Sequence, residues 1–450
     1  MDSDQPSRQR LRLAILICTH ITVCCVSLVY VARFNYAGTF DPTKFHVFYD
    51  PDRLYEAIPV VVAFALVSLL FVFARFSFGY FVGFYFYTMI LGYLWLNCFS
   101  DMNYDHQRAG FSAAESAVAF LIPALFISAP LRQRYALSAT AFNRILMLIL
   151  LLGVATVTVG AMYNFRFVAI EDINNFRDKI ESPTILRYLI GTTSGALLPF
   201  AFAGFAAGKA YWRAGAVLLL LLLFYPITLS KLALFTPFWL LFVLSLAKFV
   251  EARIIVVLSR LAPMVAGLVL ITLFKAHAEQ YFFIVNFRMI TVPSAAMDIY
   301  NDFFSKHELT YFCQISVLKQ IMHCPYQDQL SIVMHRAYKL GNFNASLFAT
   351  EGIASVGGLF APFTAFICGL VFALGNRLSA GLPGSFILIS GAVLPQVLLD
   401  VPLTTALLTH GAGLLFLLWY ITPREMFEAH DRTFGNESPV RIEARSQTTT

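Results

Sequence analysis

The sequence predicts an all-α polytopic membrane protein, with about 12 transmembrane helices and a large extracytoplasmic loop of short helices between spans nine and ten. Of the 450 residues, 58% are hydrophobic and only 13% are charged, whereas soluble domains carry about 25% charged residues. The mean hydropathy is +0.70. With 45 Phe and 20 Tyr, the chain is also too apolar to remain disordered in water. A bilayer is therefore its expected surroundings.

Apolar stretches bounded by charged residues mark the spans, because a helix needs about 20 predominantly apolar residues to cross a bilayer. Two pairs of stretches are interrupted, one by Pro226 and Lys231 and the other by Asp400 and Pro402. Each of these pairs is either a tight hairpin or a single broken helix. The predicted spans are 13–32, 57–74, 77–99, 113–130, 145–163, 188–208, 214–230, 232–247, 261–275, 347–374, 383–400 and 403–421.

The basic residues predict the orientation, because Lys and Arg collect in cytoplasmic connections. One set of short connections is almost purely basic and carries Arg75, Arg132, Arg134, Arg144, Lys209, Arg213, Lys248, Arg253, Arg260 and Arg377. Both termini are therefore predicted to be cytoplasmic. The first span is too long, and too weakly followed by small residues, for a cleaved signal peptide, so we expect a retained helix. The net charge of +6 includes no basic cluster interleaved with aromatics, and nucleic acid is not an expected partner.

The chain is organised into four parts. Residues 1–275 form the N-terminal membrane helices, 276–346 a large periplasmic loop, 347–421 the C-terminal membrane helices and 422–450 a polar cytoplasmic tail. A connection as long as this loop is usually functional or disordered, and its aromatic residues argue against disorder. Residues 293–304 and 313–322 have apolar side chains at helical spacing, which predicts short helices on the outer membrane surface.

Two cysteines, Cys313 and Cys324, lie in this loop, while the other cysteines lie in predicted spans. An oxidising compartment would allow the two to form a disulfide that pins the loop. Two buried free thiols are the alternative. A metal site involving the adjacent His323 is the least supported arrangement, because a second pair of ligands at the usual spacing is missing. We therefore predict no metal.

Basic residues on the outer side form a candidate cavity for a phosphate ligand. Arg166 and Arg288 each lie just past the outer end of a predicted span, at the height of the lipid head groups. A guanidinium offers a planar fork of donors that suits phosphate or diphosphate. The alternative is an arginine that reaches ordinary head groups or pairs with a nearby carboxylate. Arg187, Arg336 and Lys339 are predicted on the same side.

Glu351 enters the tenth predicted span where an apolar residue would be expected. On a helix, Glu351, Ser355 and Gly358 lie on one stripe, which carries a carboxylate and then allows another helix to approach closely. A carboxylate inside the membrane boundary is a candidate functional residue, and the alternative is a structural ion pair with an arginine of the outer loops. Glu115, Asp400 and His410 are predicted to make helix-end or interhelical polar contacts.

Residues 280–380 carry a family resemblance. The pattern consists of Arg288, Pro293, Tyr300, Phe303 and Phe304, then Asn342-Phe343-Asn344, Glu351-Gly352 and Gly357-Gly358. Together with many spans and one large late loop, it resembles the oligosaccharide repeat-unit polymerases of the O-antigen polymerase family, relatives of the O-antigen ligases. Position 177 after Arg166 is Arg and position 299 after Arg288 is Ile, where some of these polymerases carry Gly.

The resemblance implies a lipid-donor glycosyltransferase of the bacterial inner membrane that uses neither a nucleotide sugar nor a metal or other cofactor. Its substrate would be an oligosaccharide on undecaprenyl diphosphate, polymerised on the periplasmic face into O-antigen, capsule or exopolysaccharide, with a chain-length regulator as a further potential partner. The implied catalytic residues are Arg288, Glu351 and Arg166. The implied substrate-binding residues are Arg187, Tyr300, Arg336, Asn342 and Asn344.

Two other functions fit the same features. A ligase would move finished glycan onto a different acceptor. A transporter or flippase for a lipid-linked oligosaccharide would use the same basic cavity but needs alternating access. Against a transporter, the sequence has no evident inverted repeat, and no broken helices are expected in matching halves. A large ordered outer loop also suits an enzyme that holds two chains.

Overall fold

A computed structural model describes residues 5–33, 45–169, 172–173, 176, 180–275, 279–315, 318–340 and 349–427. Within these residues the regular structure is helical, and ten helices are long and apolar enough to cross a membrane. The predicted class, an all-α multi-pass membrane protein, is confirmed. Two further apolar helices are shorter, Lys231–Leu246 and Ala412–Ile421.

The helices agree with the predicted spans to within several residues over most of the chain. They are α1 Gln5–Arg33, α2 Leu54–Phe73, α3 Phe78–Asn97, α4 His106–Phe126, α5 Ala139–Tyr163, α6 Thr184–Ala207, α7 Tyr211–Thr228, α8 Lys231–Leu246, α9 Ala252–Phe274, α10 Glu279–Phe304, α11 Leu330–Tyr338, α12 Ala349–Ser379, α13 Gly384–Ser390, α14 Leu394–Val397, α15 Leu403–Leu408 and α16 Ala412–Ile421.

Helix α3 forms the centre of the bundle and is buried from Phe78 to Leu96. A helix that is apolar on all sides belongs in the core rather than at a lipid or water surface. It packs against α1, α2, α4, α10 and α12. The contact with α10 is close, because a Cβ atom on Gly92 would clash with the Ser294 hydroxyl. The core therefore brings α10 against the middle of the bundle.

The bundle has two different faces. We call the face that carries residues 45–53, 98–105, 164–169, 180–183, 305–315 and 318–329 the loop-rich face. The ends of α1 and α3 meet there, since the Arg33 guanidinium lies 4.0 Å from the Tyr49 ring centroid and Tyr49 stacks on Phe99 at 5.9 Å. The short-loop face carries the basic connections, where Arg377 and Arg253 donate to the Ala129 and Ala74 carbonyls.

Helix α10 differs from expectation. It occupies much of the sequence assigned to the large loop, and both of its ends lie at the loop-rich face. Near its start Phe282 packs on Tyr30, with ring centroids 6.1 Å apart. Near its end the Asp302 carboxylate accepts from the Asn103 amide at 3.1 Å. By these contacts both ends of α10 lie at the same face, although its length and composition would permit a span.

Two expectations are corrected by this placement. Residues 293–304 are helical as predicted, but every residue from Pro293 to Phe304 is buried within the protein rather than lying on the membrane surface. Arg288 lies in the interior of a helix rather than just past the end of a span. The physical reason is that the polar residues of α10 bind partners from other helices and so do not need water.

The two interrupted pairs of predicted spans adopt different structures. Near residue 230, Leu229 adopts a left-handed conformation and joins α7 to α8, which pack side by side as a tight hairpin. The C-terminal pair is broken within each predicted span, giving α13 with α14 and α15 with α16. Gly411 has a φ of +77°, and an added Cβ atom would lie 2.9 Å from Ala196 and Thr192. This break therefore sits directly against α6.

The described residues of the large loop that follow α10, 305–315 and 318–340, form a layer over the start of α12. The Thr310 amide donates to the Ala354 carbonyl at 2.8 Å. A disulfide joins Cys313 to Cys324, which is one of the three arrangements that the sequence left open. The Gln314 side chain donates to the carbonyls of Tyr326 and Asp328 at 3.0 and 3.2 Å. In the described part of 313–322, which leaves out 316–317, the helical structure is one short 3₁₀ turn, Leu318–Gln320.

Candidate functional site

A cavity of about 430 Å³ opens among α5, α6, α7, α8 and the broken C-terminal segments. It lies at the ends of these helices that meet the loop-rich face. Small and hydroxyl-bearing residues line it, together with a few side chains that can bind a polar ligand. The polar lining residues include Asn164, Arg187, Ser194, Thr236 and His410. Mostly apolar walls with a few convergent polar groups are typical of ligand pockets.

The wall formed by α6 departs from regular α-helix. Residues Thr193–Leu197 are π-helical, and Ser194 and Gly195 within this segment line the cavity. Isolated π-helical turns occur frequently at functional sites. Gly191 permits a close approach, because a Cβ atom there would lie 2.5 Å from the Thr409 carbonyl oxygen. The α6 backbone and the segment that carries His410 are thus fixed against each other.

Charged groups border the cavity on the side of α10. Arg288 is exposed, although residues around it in α10 are buried. It lies close enough to Lys231 and Asp400 to interact electrostatically with both. Lys231 begins α8, next to the cavity residue Ser230. We call the cavity together with Arg187, Lys231, Arg288 and Asp400 the cationic cleft.

Asp400 supplies the negative charge of this cleft. Its side chain is exposed and lies close enough to Arg288 and Arg260 to interact electrostatically with both. It follows α14 three residues after Val397, which lines the cavity. The sequence suggested only a helix-end contact for Asp400. The sequence did predict the interruption at Asp400 and Pro402, but not the electrostatic interaction between Asp400 and Arg288.

Glu351 lies at the start of α12 and is partly buried. Its carboxylate accepts a hydrogen bond from the Leu403 amide at 3.2 Å, and Leu403 is three residues from Asp400. The structure therefore joins Glu351 to the segment that borders the cleft. Two residues that the sequence predicted as catalytic are thereby brought to the same short segment, 400–403. Arg288 interacts with Asp400 at its start, and Glu351 binds the Leu403 amide at its end.

The remaining basic candidates lie apart from one another. Arg166 is exposed, and its backbone amide donates to the Pro226 carbonyl at 3.0 Å above the cavity wall. Arg187 lines the cavity and donates to the Thr184 hydroxyl at 3.2 Å. Arg336 lies in the large loop and pairs with Asp328 at 2.5 Å, with 69% of its side chain exposed. The ion pair between Arg336 and Asp328 is a structural contact within the loop.

The other residues predicted to bind substrate, Tyr300, Asn342 and Asn344, add no described side chain to the cleft. Tyr300 is 0% exposed and packs against Phe304, with ring centroids 5.8 Å apart. A buried ring cannot stack on a sugar, so the substrate-binding prediction for Tyr300 is corrected to a core role. Asn342 and Asn344 lie outside the described residues. Tyr311, at 61%, is an exposed aromatic residue of this loop.

A second polar site, missed from the sequence, surrounds the end of α10. The Asp298 carboxylate accepts from the Ser100 hydroxyl at 2.8 Å and from the Tyr104 hydroxyl. Tyr104 also contacts the Tyr93 hydroxyl at 3.2 Å. Burial raises the pKa of Tyr104, and the Tyr93 and Asp298 groups raise it further. Loop 98–105 is thereby tied to the core.

Asp302 anchors the large loop in the same way. Its carboxylate accepts from Lys306 at 2.5 Å and from the Tyr338 hydroxyl at 2.7 Å. Burial and the contact with Asp302 raise the pKa of Tyr338. We call Ser100, Tyr104, Asp298, Asp302, Lys306 and Tyr338 the anchoring network. Its signal in the sequence is the placement of two carboxylates four residues apart on an otherwise apolar helix.

The chain matches no protein-family model, no curated protein and no solved structure. Its function is therefore inferred from the residues and from the geometry of the cleft.

Proposed function

We propose that this protein is a polymerase that joins oligosaccharide repeat units carried on undecaprenyl diphosphate, at the periplasmic face of a bacterial inner membrane. One observation carries the proposal. A cavity of about 430 Å³ at the loop-rich face has Arg187 in its wall and Arg288 and Lys231 beside it. Cations in the wall of a cavity and beside it suit a lipid-linked diphosphate.

The proposed reaction transfers the growing glycan to a new repeat unit. The oxygen of an acceptor sugar hydroxyl bonds to the anomeric carbon of the donor glycan, and the bond from that carbon to the diphosphate oxygen breaks. The leaving lipid diphosphate gains negative charge. Cations that are already in place stabilise this charge in the transition state, and Arg288 with Lys231 would supply them. Arg166, from the loop above the same wall, is the proposed additional cation.

The acceptor hydroxyl must lose its proton during the transfer. A carboxylate within reach can accept it as general base, and Glu351 is the proposed residue. Its hydrogen bond from the Leu403 amide holds it beside the segment that carries Asp400. Asp400 is the second carboxylate of the cleft, and its side chain is exposed. The proton is released to water after the lipid diphosphate departs.

A second candidate function has its own supporting observation. The elements α13 with α14 and α15 with α16 are interrupted helices beside the cavity, and interrupted helices form the binding sites of many transporters. A flippase for the same lipid-linked oligosaccharide would use the same cations. The ordered loop tied down by the disulfide and by Asp302 favours the enzyme, because a carrier must open on both sides.

The experiment compares lipid-linked intermediates and surface glycan from cells with and without the protein. Loss of long chains, with single repeat units accumulating on the carrier at the periplasmic face, is expected of a polymerase. Long polymer stranded on the carrier would instead identify a ligase. Repeat units trapped on the cytoplasmic side would identify a transporter and overturn the proposal.

A further inference from the structure

One arginine lies wholly inside the bundle. Arg260, in α9, is 0% exposed, and its guanidinium lies 4.5 Å from the Tyr85 ring centroid. Its Nε atom has no hydrogen-bond partner among the described residues, and it takes part in none of the ion pairs found there. Burying a charge in this way is costly, and an ionisable residue inside a membrane protein is by default a functional candidate.

The two terminal nitrogens of Arg260 reach two different elements. One donates to the backbone carbonyl of Met289, the residue after Arg288 in α10. The other donates to the Gln396 side chain in α14 at 3.3 Å, four residues before Asp400. The Arg260 guanidinium thus connects α10, which carries Arg288, to α14, which precedes Asp400.

The segment that Arg260 supports is an unusual one. Phe283–Thr291 is π-helical over nine residues, and π-helix is rare and is mostly limited to single turns. Asn286 fixes the segment on the other side of Arg288, since its side chain donates to the Ser27 hydroxyl at 3.0 Å and to the Met264 carbonyl at 2.8 Å. The side chains of Asn286 and Arg260 therefore hold the backbone on both sides of Arg288.

We infer that Arg260 is a positioning residue, which holds the π-helical segment of α10 so that Arg288 faces Asp400 across the cationic cleft. The inference rests on the proposed function for what Arg288 binds. The placement of the segment itself can be tested independently. Arg260 contacts no ligand in this account and acts through the Met289 carbonyl and through Gln396.

The first arm of the test is hydrogen–deuterium exchange on the full chain in lipid nanodiscs. Arg260→Met removes both hydrogen bonds, so exchange at residues 283–291 is expected to rise about tenfold or more. Arg260→Lys keeps the charge but cannot reach both acceptors, so an intermediate increase in exchange is expected. This variant replaces Arg260→Met if that variant does not accumulate. The matched control is Arg253→Met in the same helix. Unchanged exchange at 283–291 in both Arg260 variants would overturn the inference.

The second arm measures binding of undecaprenyl diphosphate to the same nanodiscs. Arg288→Ala and Arg260→Met are each expected to weaken binding about tenfold or more. The double variant is expected to bind no more weakly than Arg288→Ala, because Arg260 acts through Arg288. Additive losses would make Arg260 a separate contact and would overturn its positioning role. A wild-type protein that does not bind the lipid would refute the proposed function, and the exchange arm would still decide the placement of the segment.

Discussion

The charged residues in the two halves of α10 have opposite environments, because Arg288 is exposed whereas Asp298 and Asp302 are buried. In the first half, Phe283–Thr291 is π-helical and presents Arg288 to a cleft that also contains Lys231 and Asp400. In the second half, Val292–Phe304 is regular α-helix, and its two carboxylates are buried and bound by surrounding donors. One helix therefore carries both the candidate site and the main anchor of the outer loops.

The difference separates charges that stabilise the fold from charges that are available to a ligand. A buried polar group that has its hydrogen-bond partners fixes the arrangement of the elements around it. Arg288, in contrast, is exposed beside the cavity, so a ligand can reach its side chain. The halves of α10 should therefore respond differently to substitution, with activity lost from the first half and stability lost from the second.

The largest effect is expected from Arg288→Ala. Removing a cation that stabilises the leaving diphosphate should lower the rate of polymerisation about 10²–10³-fold. The assay follows extension of lipid-linked single repeat units by the protein in nanodiscs, normalised to the amount of folded protein. Arg336→Ala is the matched control, because Arg336 is exposed and paired with Asp328. A comparable loss in the control would remove the distinction between the cleft and the loop.

Glu351→Gln should give the next largest loss, about 100-fold in rate. Glutamine keeps the shape of the side chain and can still accept from the Leu403 amide, so the 400–403 segment should stay in place. The loss should appear in the maximal rate, with the apparent affinity for the lipid-linked donor unchanged. Full activity in this variant would transfer the role of general base to Asp400, to be tested by Asp400→Asn.

Asp298→Ala should mainly affect stability. The variant leaves the buried Ser100 hydroxyl without its acceptor, whereas the partly buried Tyr104 hydroxyl keeps the Asn97 side-chain oxygen as an acceptor at 2.9 Å. About 2 kcal/mol of folding free energy should therefore be lost. Thermal unfolding in detergent measures the change, while the rate per folded molecule should remain close to that of the wild type. Asp328→Ala, which breaks only an exposed pair, should cost less than about 1 kcal/mol. Equal stability of the two variants would contradict the anchoring network.

Cys313→Ser together with Cys324→Ser should loosen the large loop. The disulfide closes a short loop of sequence separation 11, and its chain-entropy contribution is about 2–3 kcal/mol. The effect should be local, because the residues concerned lie outside the helical bundle. Limited proteolysis should cut within 305–329 faster in the variant, or in the reduced wild type, and leave α3 and α4 intact. Identical cleavage patterns would show that the disulfide does not constrain this loop.

The smallest effect near neutral pH comes from the tyrosines of the anchoring network. Because the folded protein raises the pKa of Tyr104 and of Tyr338, it holds these protons more tightly than the unfolded chain does. Their contribution to stability is fully present below the ordinary tyrosine pKa of about 10 and declines as pH rises above it. The melting temperature should therefore fall above that pH, and less steeply in Tyr104→Phe with Tyr338→Phe. An unchanged slope in the double variant would show that other groups control the alkaline response.

The sequence predicts the membrane class well, because spans are marked by length and hydropathy alone. It fails at α10 for a physical reason. Asn286, Ser294 and Asp298 resemble loop residues, but their partners are Ser27, the Met89 carbonyl and Ser100. These contacts join residues about 200 or more positions apart, and neither periodicity nor hydropathy records them. The buried end of the helix was for that reason assigned to the membrane surface.

The candidate site could be predicted only in part. Arg288, Arg187 and Glu351 were selected by charge and position, and all three border the cleft or the segment beside it. Arg260 was placed in a basic connection because the ninth span was predicted to begin at 261, whereas α9 begins at Ala252. Asp400 was underestimated because its electrostatic interaction with Arg288 joins residues more than 100 positions apart, which hydropathy does not record.

The most direct test of the central claim compares Arg288→Ala with Asp298→Ala in cells that lack the native protein. Surface glycan and lipid-linked intermediates are measured together with the amount of each variant in the membrane. We predict that Arg288→Ala accumulates normally but leaves single repeat units on the carrier, and that Asp298→Ala makes long chains in proportion to its reduced amount. A normal ladder of chain lengths with Arg288→Ala would contradict the assignment of the cleft as the site of polymerisation.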